Sequence, residues 1–252
     1  YYYSLAANQN FPDAQYNLGY IYYTGEYVKR DMNKAIYYYS LAANQNIPQS
    51  QYNLGNIYST GEYVKRDINN AIYYYSLAAN QNFPDAQFDL GVIYSTGEYA
   101  KRDINNAIYY YSLAANQNFP DAQYNLGYIY YTGEYVKRDM NKAIYYYSLA
   151  ANQNIPQSQY NLGNIYSTGE YVKRDINNAI YYYSLAANQN FPDAQYNLGV
   201  IYSTDKYGKR DINKAIYYYS LASNQNNQEA QFNLGVIYDK GEYVERDINK
   251  AI

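Results

Sequence analysis

The chain has 252 residues, of which 48% are hydrophobic and 16% charged, so it carries enough apolar material to bury a core. Its formal charge is only −3, and Asp follows every Lys-Arg pair, so the sequence predicts no nucleic-acid binding. His and Cys are both absent, which removes the usual general base, the thiol nucleophile and the soft metal ligands. We therefore expect a protein that is not an enzyme, with no cofactor and no metal site.

The sequence also argues against a membrane-spanning segment. No apolar run approaches the roughly 18 residues that a transmembrane helix needs, so no membrane insertion is predicted. Asn is abundant, yet no Asn-x-Ser/Thr sequon occurs, which favours an intracellular protein while leaving the compartment open. The first residue is Tyr1 rather than Met, and we expect the chain to be a fragment of a longer repeat protein.

Internal repetition dominates the chain. It divides into seven rows of 36 residues, and each row starts with Tyr-Tyr-Tyr-Ser-Leu-Ala. A fixed period of this size is typical of stacked repeat proteins. A longer period is superimposed, because residues 1–72 recur at 109–180 and residues 73–108 match 181–216 except at a few positions. Identity between rows therefore reports copying and cannot be interpreted as selection.

The first predicted helix of the opening row covers residues 12–24. Its apolar residues, such as Leu18 and Tyr22, recur at the spacing of one helical face. Pro12 suits the first helical position, because its missing N–H would have no intrahelical partner there. Gly25 follows the helix, where a left-handed cap is common.

The second predicted helix covers residues 32–45. Asp31 precedes it in the position of an N-cap, and Ala35 and Tyr39 then recur on one helical face. Asn46 stands after the helix, where its tolerance of positive φ suits a tight turn into the next helix.

Repeating this unit predicts an all-α fold, a right-handed α-solenoid of stacked antiparallel helix hairpins with a 36-residue period. We predict a single repeat domain over residues 1–252. The first helices are expected near 12–24, 48–60, 84–96, 120–132, 156–168, 192–204 and 228–240. The second helices are expected near 32–45, 68–81, 104–117, 140–153, 176–189 and 212–225, with partial helices at 1–9 and 248–252.

The recurring tyrosine triplet has two roles in this interpretation. Helical geometry places Tyr38 and Tyr39 on the buried face and Tyr37 outside it. Truncation of a buried aromatic residue to Ala typically costs ~3–5 kcal/mol, whereas a surface change stays within about 0.5 kcal/mol. We therefore expect Tyr38→Ala and Tyr39→Ala to destabilise the protein strongly, and Tyr37→Ala to have little effect.

Residues 13–43, DAQYNLGYIYYTGEYVKRDMNKAIYYYSLAA, resemble the Sel-one-like repeat (SLR) family, a branch of the tetratricopeptide superfamily. The resemblance covers the whole chain, but the family usually has Gly at the positions of Tyr27 and Asn46. The cysteine pairs of some secreted members are missing. The matching positions are Ala14, Gln15, Leu18, Gly19, Tyr22, Gly25, Val28, Asp31, Lys34, Ala35, Tyr39, Ala42 and Ala43.

This resemblance implies a non-catalytic scaffold or adaptor that binds a protein or peptide partner along a concave groove formed by the first helices. Several substitutions between rows fall on the same positions: Tyr20, for example, becomes Asn56 or Val92. The partner-binding positions implied are Tyr16, Asn17, Tyr20, Tyr23, Tyr52, Asn53, Asn56, Ser59, Phe88, Asp89, Val92, Ser95, Tyr124, Asn125, Tyr128, Tyr131, Tyr160, Asn161, Asn164, Ser167, Tyr196, Asn197, Val200 and Ser203.

Three alternatives stay open from the sequence. The groove substitutions are also what free drift at exposed positions would produce. The chain could instead be a structural or self-associating element that stacks end to end through uncapped helices. Carboxylates such as Asp89, Glu98 and Asp103 could also cluster on folding and act as an acid–base pair.

Overall fold

The computed structural model describes residues 1–97, 101–241 and 244–252, and these residues contain helices and no strand. A short 3₁₀ turn covers Asp205–Tyr207. None of the described helices is both long and apolar enough to cross a membrane. The α-helices are α1 (Tyr2–Asn8), α2 (Pro12–Thr24), α3 (Met32–Asn44), α4 (Pro48–Thr60), α5 (Ile68–Ala79), α6 (Pro84–Thr96), α7 (Ile104–Asn116), α8 (Pro120–Thr132), α9 (Met140–Asn152), α10 (Pro156–Thr168), α11 (Ile176–Asn188), α12 (Pro192–Ser203), α13 (Ile212–Ser223), α14 (Gln228–Lys240) and α15 (Ile248–Ala251).

The helices form two compact units, Tyr1–Gln123 and Tyr124–Ile252. In the first unit α2 packs along α3, α4 along α5 and α6 along α7, and each hairpin contacts the next through α3 with α4 and α5 with α6. In the second unit α10 packs along α11 and α12 along α13, with α9, α14 and α15 completing the stack. The predicted all-helical fold of tandem hairpins is thereby confirmed; the single repeat domain over residues 1–252 stays a prediction.

The helix ends follow from the capping residues. Pro12 occupies the first turn of α2, and Gly25 ends it with a φ of 70°. Asp31 caps α3 by accepting a hydrogen bond from the Lys34 backbone N–H at 3.1 Å. Asn46 adopts the expected positive φ, 62°, in the turn after α3.

Some predicted ends are wrong by one or two residues. The second helices end earlier than predicted; α3 ends at Asn44 because the Gln45 N–H bonds to Ala42 O and tightens the last turn. Helix α12 ends at Ser203 because Thr204 is extended. The other second-helix ends are Ala79, Asn116, Asn152, Asn188 and Ser223, and the partial helices are Tyr2–Asn8 and Ile248–Ala251.

Every described hairpin except the α14–α15 pair is closed by a tyrosine that lies against a glycine. A Cβ atom added to Gly55 would lie 2.5 Å from Cδ1 of Tyr75, so only Gly allows this approach. Tyr75 is buried in a cluster with Ala78 of α5 and Leu90 of α6. The close contact of a small residue with a large ring gives the hairpin a dense core.

A second device joins successive hairpins. Gln51 is buried in α4 and donates to the backbone oxygen of Ala43, at 3.1 Å, at the end of α3. Its side-chain oxygen in turn accepts from Gln81, at 2.7 Å, beyond α5. Because a buried amide without partners is costly, this pairing stabilises the hairpin order as well as the packing.

The tyrosine triplet is only partly as predicted. Tyr39 is fully buried and Tyr37 is 58% exposed, in agreement with the helical pattern. The expectation of a buried Tyr38 is wrong: its side chain is partly buried and stacks on Tyr22, with ring centroids 5.8 Å apart. Tyr38 lies at the edge of the core, where it packs against Tyr22 and the cluster of Ala7, Ala14 and Leu18 while part of its side chain reaches solvent.

Candidate functional site

The predicted groove positions occupy the same face of each first helix, and we call them the first-helix stripe. Each first helix contributes four positions to the stripe. The first of the four is an aromatic residue, and its ring lies beside the buried tyrosine of the following second helix. These first positions are therefore partly buried and contribute to packing. The ring pairs are Tyr16–Tyr39 at 6.0 Å, Tyr52–Tyr75 at 5.7 Å, Phe88–Tyr111 at 5.8 Å, Tyr124–Tyr147 at 6.0 Å, Tyr160–Tyr183 at 5.9 Å and Tyr196–Tyr219 at 5.9 Å between centroids.

Polar members of the stripe bind the buried tyrosine hydroxyl. Tyr75 Oη donates to Asn56 Oδ1 at 2.6 Å and lies 3.1 Å from Ser59 Oγ. These side chains satisfy a buried hydroxyl, which would otherwise destabilise the core. The equivalent contacts are Tyr183 with Asn164 at 2.6 Å and Ser167 at 3.1 Å, Tyr111 with Ser95 at 3.0 Å, and Tyr219 with Ser203 at 3.2 Å.

Rows that carry Tyr at the position of Ser59 lose this arrangement. Tyr23 and Tyr131 occupy the position of Ser59, and the buried hydroxyls of Tyr39 and Tyr147 form no hydrogen bond of normal geometry. Asn53 acts on Tyr39 and Asn161 on Tyr147, and each opposes the rise in the pKa of the hydroxyl. Burial raises the pKa of the Tyr39 hydroxyl, and the neighbouring Tyr16 adds to the rise. The hydroxyls of Tyr39 and Tyr147 therefore stay neutral at physiological pH.

Only part of the stripe is open to solvent. Tyr20 is 45% exposed and Tyr128 is 48% exposed, and Tyr23 lies just below them at 37%. These aromatic side chains form the accessible portion of the predicted site. The partly buried remainder, besides the residues already placed, is Asn17, Asn53, Asn125, Tyr131, Asn161, Val92 and Val200.

Asp89 is the one charged member of the stripe. Burial raises the pKa of its carboxyl to about 6, the Tyr52 hydroxyl opposes the rise, and Asp85 adds to it. Burial, together with the same carboxyl, raises the pKa of Tyr52 to about 12. Asp89 is therefore mostly ionised at pH 7, at an energetic cost that its surroundings do not offset.

The equivalent residue in the second unit, Asn197, behaves differently. Its Nδ2 donates to Asn164 Oδ1 at 3.3 Å, beside the bond that the same oxygen accepts from Tyr183. An ionised Asp89 has no hydrogen to donate, so it cannot make the corresponding bond to Asn56.

Other site chemistry was also sought. Within residues 1–97, 101–241 and 244–252 there is no group of three or more acidic side chains that could hold a metal ion. Of the carboxylates considered as an acid–base cluster, Asp103 accepts from the Asn106 N–H as the cap of α7. Glu98 lies outside the described residues, so the cluster as a whole stays a prediction.

The hydroxyl-binding role of the stripe was missed by sequence reasoning. A signal was present, because Asn and Ser occur together at 56 and 59 and again at 164 and 167. In each case the pair precedes a buried tyrosine by 19 and 16 residues. The sequence contains no comparable signal for the partial burial of Asp89, because that burial depends on how α4, α5 and α6 pack together.

Comparison with known proteins identifies the repeat. The Sel1 repeat family model matches residues 12–47, 48–83, 84–119, 120–155, 156–191, 192–227 and 228–252, which is nearly the whole chain. No curated protein matches the sequence.

Two solved structures resemble the chain over almost its full length. One is c5321, a protective antigen of uropathogenic Escherichia coli strains that displays an SLR fold; it is 32% identical, with a TM-score of 0.92 over 99% of this chain. A Sel1 repeat protein from Oxalobacter formigenes is 33% identical, with a TM-score of 0.80 over 99% of this chain and 72% of its own. The chain spans 54% of the length of the E. coli protein. From its repeats and its fold, the chain belongs to the Sel1 repeat family.

Proposed function

We propose that the chain is a non-catalytic scaffold or adaptor that binds a peptide or protein partner along the first-helix stripe. Sel1 repeat proteins are generally protein-interaction scaffolds and typically non-catalytic. The observation that carries the proposal is where the rows differ. One stripe position, for example, holds Tyr20, Asn56 and Val92 in three successive rows. The leucine and the glycine of the packing face are the same in every row.

The exposed tyrosines are suited to such contacts. Tyr20 and Tyr128 are held on helices whose opposite faces are buried, so little conformational freedom is lost when a partner covers their rings. A tyrosine ring also combines a large apolar area with a hydroxyl that can donate or accept a hydrogen bond. Both properties favour residues that dominate binding energy at interfaces.

Affinity capture with the whole chain tests the proposal. The test variant is Tyr20→Ser with Tyr128→Ser, which removes two exposed rings from the stripe. The control is Tyr37→Ser with Tyr145→Ser, which removes rings that are 58% and 59% exposed on the second helices. We expect a captured partner to be lost by the stripe variant and kept by the control.

Thermal melts by circular dichroism accompany the capture, because a partner lost through unfolding would prove nothing about contact. All of the exchanged tyrosines are exposed, so the melts should stay within about 2–4 °C of the parent chain. A partner that binds the stripe variant as well as the parent chain would refute the stripe as its binding surface.

A further inference from the structure

A pocket of 250 Å³ lies beside the first-helix stripe in the first unit, where α4, α5 and α6 meet. Ile68, Val92 and Ile93 form its apolar wall. Asp89 supplies its carboxylate, and we call the cavity the Asp89 pocket. The pocket therefore combines an apolar wall with a carboxylate, and Arg66 also lines it.

The other polar side chains of the pocket are already engaged. Tyr75 Oη and Ser59 Oγ lie 3.1 Å apart, and Tyr75 also donates to Asn56. Their hydrogen-bonding capacity is used within the protein. The carboxylate of Asp89 keeps acceptor positions for a ligand, since a carboxylate can accept about four hydrogen bonds.

No cation of the described residues forms a salt bridge with Asp89. Arg66 lines the pocket, but the electrostatic groups that act on the Asp89 carboxyl are Tyr52 and Asp85. Tyr52 lies on α4 and Asp85 on the same helix as Asp89. A negative charge held in partly buried surroundings without a compensating cation is a binding opportunity for a positive group.

We propose that the Asp89 pocket binds the side chain of a lysine carried by the partner, with the ammonium group at the Asp89 carboxylate and the methylene stem against Val92, Ile93 and Ile68. This inference rests on the proposed function, because it assigns the chemistry of one partner residue on the same stripe. It also distinguishes the repeat of Asp89 from the other repeats, which have Asn at this position.

Lysine fits the pocket better than arginine. The guanidinium group favours a carboxylate with both oxygens free, because it donates in a planar fork. The Tyr52 hydroxyl interacts with the Asp89 carboxyl. This interaction favours the compact ammonium group of lysine over a guanidinium group that needs both carboxylate oxygens. The four-carbon stem of lysine also matches an apolar wall that leads to a single acidic group.

Binding should depend on pH through Asp89. The groups that face it are Asp85 on its own helix, Tyr52 on α4, Tyr75 on α5 and Tyr111 on α7, with Arg66 lining the cavity. The pKa of Tyr52 and of Tyr111 is raised to about 12, and burial raises the pKa of Tyr75 as well. Asp89 is thus the group whose charge changes most between pH 5 and pH 8.

The test uses the whole chain with ¹³C-labelled aspartate side chains and two small probes. Nα-acetyl-lysine methylamide carries the side-chain ammonium group, and Nα-acetyl-norleucine methylamide has a similar alkyl side chain without it. NMR titration at pH 8 should give a lysine-probe affinity at least about fivefold above that of the norleucine probe, a difference that corresponds to ~1 kcal/mol. At pH 5 the lysine probe should bind about tenfold more weakly, because most of Asp89 is then protonated.

Two variants assign the effect to one carboxylate. Asp89→Asn installs the residue found in the other rows, and it should abolish the preference for the lysine probe. Asp85→Asn removes the neighbouring carboxylate and should preserve the preference. Equal affinity for the two probes, or a preference that survives Asp89→Asn, would overturn the inference.

The outcome is separable from that of the proposed function. If partner capture still depends on Tyr20 and Tyr128 while the probes show no dependence on Asp89, only the lysine pocket is refuted. If the lysine probe binds as expected but capture does not depend on the stripe tyrosines, only the proposed function is refuted.

Discussion

Two rows of this chain, residues 73–108 and 181–216, offer a comparison in which the fully buried packing positions are the same while the stripe and the loop differ. Leu90 and Leu198 are both fully buried, and the buried tyrosine of each following helix bonds to a serine in the same way, at 3.0 Å and 3.2 Å. The differing pairs are Phe88/Tyr196, Asp89/Asn197, Gly97/Asp205, Glu98/Lys206, Ala100/Gly208 and Asn106/Lys214.

The differences fall on the stripe, in the loop after the first helix and in the first turn of the second helix. In the earlier row Gly97 ends α6 with a φ of 65°, whereas in the later row Asp205 begins a 3₁₀ turn and Gly208 takes the positive φ, 63°. Arg210 forms an ion pair with Asp205 in that turn. The comparison teaches that this scaffold accepts changes of surface charge and loop shape without rearrangement of its packing positions.

The largest expected effect tests the shared core. Tyr111→Ala and Tyr219→Ala should each lower the free energy of unfolding by ~3–5 kcal/mol, because both rings are buried against a glycine. Tyr109→Ala and Tyr217→Ala, at exposed positions, should change it by less than about 0.5 kcal/mol. Urea unfolding followed by circular dichroism measures all four. A truncation that is severe in one row and mild in the other would show that the two cores are not equivalent.

The next effect concerns the charge of Asp89, which is replaced by the neutral Asn197 in the later row. Burial raises the pKa of Asp89 from 3.8 to about 6 in the folded chain, so between these values the folded state holds a proton that the unfolded state has released. The free energy of unfolding therefore falls as pH rises through this window, by about 2–3 kcal/mol in total. Asp89→Asn should remove this loss and stabilise the chain at pH 8, with little effect at pH 3.5.

The reciprocal change sharpens the same comparison. Asn197→Asp should introduce a loss of stability between pH 4 and pH 6 and should also break the bond to Asn164. Thermal melts of both variants across this pH range provide the measurement. An Asp89→Asn variant with the same pH dependence as the parent chain would contradict the assignment of the loss to Asp89.

The smallest effect compares tyrosine hydroxyls with and without partners. Tyr75→Phe should cost about 1 kcal/mol, because Asn56 Oδ1 loses its donor. Tyr39→Phe should be neutral or stabilising, because its buried hydroxyl makes no hydrogen bond of normal geometry that could be lost. Tyr183→Phe and Tyr147→Phe repeat the pair in the second unit. Chemical unfolding resolves the sign, and a cost at Tyr39 equal to that at Tyr75 would contradict the structure.

The sequence by itself determined the local structure of this protein. Pro12, Gly25 and Asp31 fix the ends of α2 and α3 through contacts within a few residues, so their roles could be predicted from spacing alone. Helical periodicity also identified Tyr39 as buried and Tyr37 as exposed. Repetition of the unit seven times then predicted the stacked hairpins, because each hairpin exposes an apolar face until another covers it.

Only the tertiary structure decided how deeply individual side chains are buried. The periodicity put Tyr38 and Tyr39 on one face, but the position of Tyr22 on the neighbouring helix decided that Tyr38 stays partly exposed. The enclosure of Asp89 likewise arises where three helices meet. A repeat pattern specifies the face of a helix, whereas burial and pKa depend on distances to residues about 16 to 37 positions away in the chain, and those distances exist only after the hairpins pack.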